Sequence, residues 1–404
     1  MDIRAVPEAH IDRALELAYL VFHHRPDEAR RKHYAQLMLD CERIGAYDGD
    51  VLVGFAAAFR FTLSVPGGEL PCPGLTFVCV APTHRRRGVL TAMLRELFAR
   101  CTGQGAPVTA LWASEDVIYG RFGFGTATQG LTLEVDSRRP LALRVEPDER
   151  PLRLVDPADA PALLGPYYER TRAERAGRIA RGASWWADEW LVEEDEDDDE
   201  LSPPRVVVLG DPVAGYAVYR TKGEDEDAHR PGLVRVDDLE ADGPREAAAL
   251  WRYLASIDLT GLVRAWGVPL DEPLLRFAGD RDQVRITSCF PALRLRLVDV
   301  AAALTARSWA AEADLVLEVR DAHVPANAGR FRLLASPGGA TYGPTDAAAD
   351  LVLDVRDLGE CYLGGSEVGA LVAAGVVEER TKGAARALDE ALRTPRLPHT
   401  VDAF

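Results

Sequence analysis

One stretch constrains the fold more than any other: Leu75-Thr-Phe-Val-Cys-Val-Ala-Pro-Thr-His-Arg85-Arg86-Arg87-Gly88-Val89-Leu90-Thr91. It reads as a short apolar strand, a basic glycine-bearing turn and the first turn of a helix. Val89, Leu90, Met93, Leu94, Leu97 and Phe98 recur at helical spacing and give that helix one apolar face. A turn of this kind leaves its own N–H groups and those of the first helical turn without partners, and the helix dipole adds positive potential there. With three arginines at the same mouth, the pattern suits a pyrophosphate. Two plainer readings stay open, a solvated Arg-rich surface turn and a nucleic-acid patch.

The chain has 404 residues and a net charge of −17. At roughly 100–200 residues per domain, two to four domains are expected. The acidic balance argues against nucleic acid as the main partner and favours a cationic substrate or simple solubility. The N-terminus lacks the basic start and apolar run of a signal peptide, and no stretch of about 18 apolar residues could span a bilayer, so a soluble cytoplasmic protein is expected. The six cysteines, Cys41, Cys72, Cys79, Cys101, Cys289 and Cys361, are scattered, which predicts neither a zinc site nor a disulfide framework. His23 and His24 are adjacent, cannot face one metal from a helix, and read as surface residues.

The periodicity predicts a mixed α/β (α+β) chain in three units. The first, 1–147, has helices at Ile11–Phe22 and around Ala29–Leu39, then a hairpin of Arg43–Tyr47 and Val51–Phe61 about Asp48-Gly49-Asp50. The Leu75–Val80 strand, the basic turn, the amphipathic helix and a strand at Val108–Trp112 follow. The second unit, 148–290, repeats this order, with a helix at Pro161–Ala180, strands at Arg205–Leu209, Val213–Tyr219 and Leu233–Leu239, and a helix at Glu246–Ala255. Where the first unit has Arg85–Gly88, the second has Asp238-Leu239-Glu240-Ala241-Asp242-Gly243, and carboxylates would repel a pyrophosphate. The acidic runs 193–200 and 224–227 read as disordered blocks of like charge, or as collectors of polycations. The third unit, 291–404, opens with a strand in Leu293–Val300, adds strands at Leu315–Val319, Arg330–Leu334 and Ala349–Val355, and ends in a helix near Gly383–Leu392.

Arg85, Gly88 and Leu90 resemble the acyl-CoA-binding motif Gln/Arg-x-x-Gly-x-Gly/Ala of the GNAT superfamily of N-acetyltransferases, with Leu90 in place of the usual small residue. A second signature, Ser114-Glu-Asp-Val-Ile-Tyr119-Gly-Arg-Phe-Gly-Phe124, resembles the Tyr-x-x-x-Gly-Phe end of the same superfamily, where a tyrosine hydroxyl sits near the CoA sulfur. That resemblance implies acetyl-CoA as co-substrate, with no metal. Backbone groups of Val78, Cys79 and Val80 would border the pantetheine arm, and Arg85, Arg86, Arg87 and the amides of Gly88, Val89, Leu90 and Thr91 would hold the diphosphate. Ser114 and Glu115 would flank the arm or cap a helix. A phenol of ordinary pKa near 10 is protonated at neutral pH, so Tyr119 is the candidate acid for the leaving thiolate; a tyrosine packed on a sheet edge is the plainer alternative.

Leu295-Arg-Leu-Val-Asp299, Asn327-Ala-Gly-Arg-Phe331, Ala349–Asp354 and Tyr362-Leu-Gly-Gly365 resemble sterol carrier protein domains. An acetyltransferase unit, a degenerate copy and such a tail together resemble the enhanced intracellular survival family of bacterial aminoglycoside N-acetyltransferases. The family resemblance implies that the carboxylate of the C-terminal Phe404 is the general base, with Asp402 as a second candidate. It also implies direct transfer to amines of polycationic acceptors such as aminoglycosides, protein lysines as further acceptors, and a homohexamer. Two readings from other classes remain, a non-catalytic acyl-CoA sensor and a lipid carrier that uses the C-terminal domain.

Overall fold

The computed structural model describes residues 1–404 except 194, 196, 197 and 225–229. In chain order it begins β1 (Asp2–Ala5), α1 (Ile11–Phe22), α2 (Glu28–Asp40), β2 (Glu42–Asp48), β3 (Val51–Val65), β4 (Gly68–Val80), α3 (Val89–Gln104), β5 (Val108–Leu111), α4 (Asp116–Tyr119) and β6 (Gly125–Thr126). Next come β7 (Gln129–Asp136), β8 (Leu152–Val155), α5 (Ala160–Arg172), α6 (Ala183–Trp185), β9 (Arg205–Leu209), β10 (Gly215–Lys222), β11 (Leu233–Ala241), α7 (Pro244–Leu254), β12 (Leu262–Val268), α8 (Leu274–Phe277) and β13 (Val284–Pro291). The chain closes with β14 (Arg294–Leu297), α9 (Val300–Ala306), β15 (Ala313–Arg320), β16 (Gly329–Ser336), β17 (Gly339–Pro344), β18 (Leu351–Asp354), α10 (Val355–Cys361), α11 (Val368–Ala373), β19 (Glu378–Glu379) and α12 (Ala384–Leu392).

Two compact units result. One contains Met1–Thr128, Leu293–Pro395 and Ala403–Phe404; the other contains Gln129–Ala292 and Arg396–Asp402. The first unit holds two sheets, ordered β1-β2-β3-β4-β5-β14-β6 and β17-β16-β15-β18-β19. The strand expected in Leu293–Val300 forms over Arg294–Leu297 and fills the first sheet between β5 and β6, antiparallel to both. The apolar face of α3 meets the same sheet: Val89, Met93, Leu94, Leu97, Phe98 and Cys101 pack with Ala56, Ala58, Leu75 and Leu111. Each such side chain contributes about 1.5–3 kcal/mol by burial, enough to fix the helix that follows the basic turn. The β2–β3 hairpin turns where the Asp-Gly signal predicts, with Gly49 at φ 60.

The second unit is built on the sheet β13-β7-β12-β11-β10-β9-β8. The helix expected over Pro161–Ala180 stops at Arg172. Gly177 takes φ 96, which a helix cannot hold, and the arginines beyond turn inward. Arg178 pairs with Glu240 at 2.8 Å, and Arg181 with Asp238 at 2.6 Å and Asp402 at 2.8 Å. Two of the carboxylates that replace a basic turn in this unit, Asp238 and Glu240, are thus buried ion-pair partners. In the acidic runs, 194, 196, 197 and 225–227 lie outside the described residues. Asp195 pairs with Arg220 and Arg235, while Asp198 and Glu200 pair with Lys222. Asp195, Asp198 and Glu200 are therefore tied by ion pairs to β10 and β11.

Candidate active site

The site begins with a register fault in the first sheet. Ala57 pairs with Thr76 and Phe55 with Cys79, so Ala56 faces both Phe77 and Val78. Such a bulge bends its strand and takes backbone groups out of the ladder. Phe77 sits at φ 51, a left-handed value that a bulky side chain adopts only under constraint. On its other edge β4 pairs with β5 through Gly74–Ala110 and Leu75–Leu111. β5 ends there while β4 runs on to Val80, so the strands part just before the bulge. The gap between them opens a cleft of about 820 Å³.

Three segments meet in the cleft. Val78, Cys79 and Val80 come from β4; Arg85, Arg86, Gly88, Val89, Leu90 and Thr91 from the basic turn and α3; Ser114, Glu115 and Tyr119 from the segment after β5. Arg87 and Phe404 are not among the lining residues. Arg86 and Gly88 take φ 62 and 79 on the way into α3. No side chain caps the helix, and the first backbone bond into it runs from Ala92 N–H to the Gly88 carbonyl at 3.0 Å. The N–H groups of Val89, Leu90 and Thr91 therefore lack helical partners at the positive end of the dipole. A β-carbon on Gly88 would meet nothing within 4 Å, so the left-handed backbone, not crowding, calls for glycine there.

Tyr119 closes the other end. It is 8% exposed, and its ring stands edge-on to Phe124 at 5.9 Å. Burial first, then the nearby Glu115 and Cys79, pushes the phenol up to about 12. It stays protonated through the neutral range and can donate to a developing thiolate. Burial likewise pushes the Cys79 thiol up to about 12, which leaves no thiolate at that position. Glu115 is the N-cap residue of α4 but makes no capping hydrogen bond.

Phe404 is seated by aromatic packing on the same sheet. Its ring lies 4.8 Å from Phe61 and 6.3 Å from Phe59. Gly74 makes room for it: a β-carbon there would fall 2.4 Å from Phe61 and 2.9 Å from Cε2 of Phe404. Gly74 is also where β4 still pairs with β5, one residue before the ladder ends.

Comparison with known proteins bears on the same residues. Residues 2–127 and 177–297 each match a family described as acetyltransferase (GNAT) domain, and 300–401 match a sterol carrier protein domain. An uncharacterized N-acetyltransferase of Streptomyces avermitilis is 44% identical over 90% of both chains. N-acetyltransferase Eis of Mycobacterium tuberculosis is 38% identical, over 86% of this chain and 85% of that protein. The crystal structure of Eis1 from Mycobacterium abscessus superposes with a TM-score of 0.88 at 33% identity, covering all of both chains. The chain belongs to the Eis family of N-acetyltransferases.

As an Eis acetyltransferase it has two GNAT domains and a C-terminal sterol carrier-type domain, the architecture expected from its sequence. Acyl-CoA is the co-substrate of this enzyme class, and among the described residues no cluster of His, Cys, Asp or Glu could hold a metal. Among the described residues no helix is long and apolar enough to cross a membrane. Asp402, the second candidate base, is 2% exposed and accepts hydrogen bonds from Arg181, Trp185, Trp190 and Tyr168. Asp402 is not among the residues that line the cleft. Seven cleft residues escaped the sequence reading, among them Val21 and Phe22 at the end of α1 and Ile118 beside Tyr119. His84 lies inside the basic motif and bonds Asp48 at 3.3 Å. Arg121 and Phe122 follow Tyr119 within its motif, whereas His323 comes from the sterol carrier-type domain, where no local pattern marks it.

Proposed function

We propose that this Eis acetyltransferase transfers acetyl groups directly from acetyl-CoA to amines of polycationic acceptors such as aminoglycosides, and to protein lysines, at the cleft of its first domain (1–147). The second domain (148–290) is a degenerate copy and the third (291–404) completes the chain. The observation that carries the reading is a single cleft with an arginine-flanked helix N-terminus at one end and a buried, protonated tyrosine at the other. Arg85, Arg86 and the amides through Thr91 hold the diphosphate, with Arg87 adding charge at the mouth. The bulged β4 offers backbone groups of Val78–Val80 to the pantetheine and a backbone N–H to the acetyl carbonyl.

The amine nitrogen attacks the thioester carbonyl carbon and gives its proton to the Phe404 carboxylate, directly or through a water. The C–S bond breaks, and the thiolate takes the proton of Tyr119. A Cys79 thiol held protonated by burial favours direct transfer over an acyl-enzyme. The net charge of −17 suits cationic acceptors. Family resemblance supports the acceptor class and a homohexamer. A cleft of about 620 Å³ in the third domain is lined by charged groups including Glu367, Lys382, Arg386, Asp389 and Arg393, a poor match to an apolar lipid tunnel.

The test is acetyl-CoA-dependent thiol release with aminoglycosides, polyamines and a lysine peptide, comparing the intact chain with one lacking Phe404. Amine-dependent release that collapses without Phe404 is the expected result. Release that persists would move the base elsewhere, and no release with any amine would turn the reading to an acyl-CoA sensor.

A further inference from the structure

The turn that carries Tyr119 is short, and its own backbone does little to hold it. α4 spans Asp116–Tyr119 and passes straight into a 3-10 turn at Gly120–Phe122 that ends at Gly123, φ 84. Local backbone bonds are Ile118 N–H to Glu115 at 3.2 Å, Gly123 N–H to Gly120 at 3.0 Å and Phe124 N–H to Tyr119 at 3.3 Å. Single-turn helices are unstable alone, so tertiary contacts must fix this one.

Those contacts come from residues 294–360, in and just before the sterol carrier-type domain. Arg294 pairs with Asp116. Arg356 lies against Gly120, where a β-carbon would fall 2.8 Å from its Nη1. Val355 and Arg296 lie under Gly123, 2.8 and 2.9 Å from a β-carbon placed there. His323 Nε2 faces the Arg121 carbonyl at 3.0 Å and so carries the hydrogen, while its ring packs on Phe122 at 5.1 Å. The backbone at Arg356 and Glu360 leaves no room for a side chain on Gly125.

We infer that the sterol carrier-type domain is the template that sets the Tyr119 turn, with His323 and Arg356 as positioning residues. Its contribution to catalysis rests on Tyr119 being the acid, as read above; the clamp itself does not. Arg356 is absent from the cleft lining, so its loss removes no contact to a ligand there.

The experiment uses the full chain carrying Arg356→Ala, His323→Ala or His323→Asn, each with and without Tyr119→Phe. It measures kcat, KM for acetyl-CoA, and amide hydrogen exchange of 116–123. Arg356→Ala and His323→Ala are expected to lower kcat about tenfold, since a catalytic group displaced by about 1 Å loses much of its effect. For Arg356→Ala, KM for acetyl-CoA should stay within about twofold. His323→Asn, which keeps a side-chain N–H, should recover part of the rate, and exchange of 116–123 should quicken in both alanine variants. In the Tyr119→Phe background the alanine variants should cost nothing further. An equal loss there would show general damage and overturn the positioning role. If Tyr119→Phe alone leaves turnover unchanged, the acid assignment falls, and exchange still judges the template: unaltered exchange of 116–123 would refute it.

Discussion

Replacing Phe404 by alanine keeps a terminal carboxylate and removes the ring that seats it. The ring makes two aromatic contacts, with Phe61 at 4.8 Å and Phe59 at 6.3 Å, and fills the space above Gly74. Such pairs contribute about 0.5–1.5 kcal/mol each, so the substitution weakens seating by about 1–3 kcal/mol. If only the seated carboxylate takes the amine proton, kcat falls about 5- to 150-fold, at about 1.36 kcal/mol per tenfold. Phe404 is half-buried at the chain end, so thermal stability should change little. The assay is steady-state thiol release at saturating acetyl-CoA, beside a thermal melt. A tail truncated by one residue should lose at least as much rate as Phe404→Ala. Full kcat in Phe404→Ala together with a dead truncation would show that the ring is irrelevant to placing the carboxylate; full kcat in both would remove the terminus from the mechanism.

Four further outcomes follow from the structure. Tyr119→Phe should lower kcat about 100-fold with acetyl-CoA affinity intact, since only a proton donor is lost. Because the phenol is held up to about 12, the wild-type rate should not lose its acid between about pH 8 and about pH 10.5, and a half-loss near pH 10, the ordinary tyrosine value, would contradict the burial argument. Gly88→Glu should raise KM for acetyl-CoA more than about tenfold, by forcing a left-handed backbone on a side chain and setting a carboxylate beside the diphosphate; unchanged binding would place the site elsewhere. His399 is buried with Nε2 on the Gly267 carbonyl, and burial, aided by Arg175, pushes it down to about 3. The unfolded chain takes up that proton below its ordinary value of 6.5 while the native state does not, so stability should fall progressively from there toward pH 3. Melting midpoints against pH would show a shallower acid slope in His399→Gln; an unchanged slope would exclude His399 as a contributor.

Much of the candidate site was legible because it is local. The periodicity of Val89 to Phe98, the basic turn before it and the Tyr119 signature each depend on residues within a few positions, and structure brings nearly all of them to one cleft. What sequence pattern lacks is a strand's address. β7 and β14 alternate polar with apolar residues, and nothing in their side chains names a partner. β7 pairs with β12 and β13, and β14 inserts between β5 and β6. The helix end at Arg172 was missed for a related reason: the arginines that follow look solvated until buried carboxylates from distant strands are placed beside them.

By itself, then, the chain's sequence determined the basic turn, the helix that follows it and the short Tyr119 segment, because backbone conformation and helix polarity are settled over a few residues. The bulge at Phe77, the gap at Gly74 that admits the ring of Phe404, and the reach of His323 to the Arg121 carbonyl were decided only by tertiary structure. Each depends on register and packing between segments far apart in the chain, which short-range pattern cannot encode.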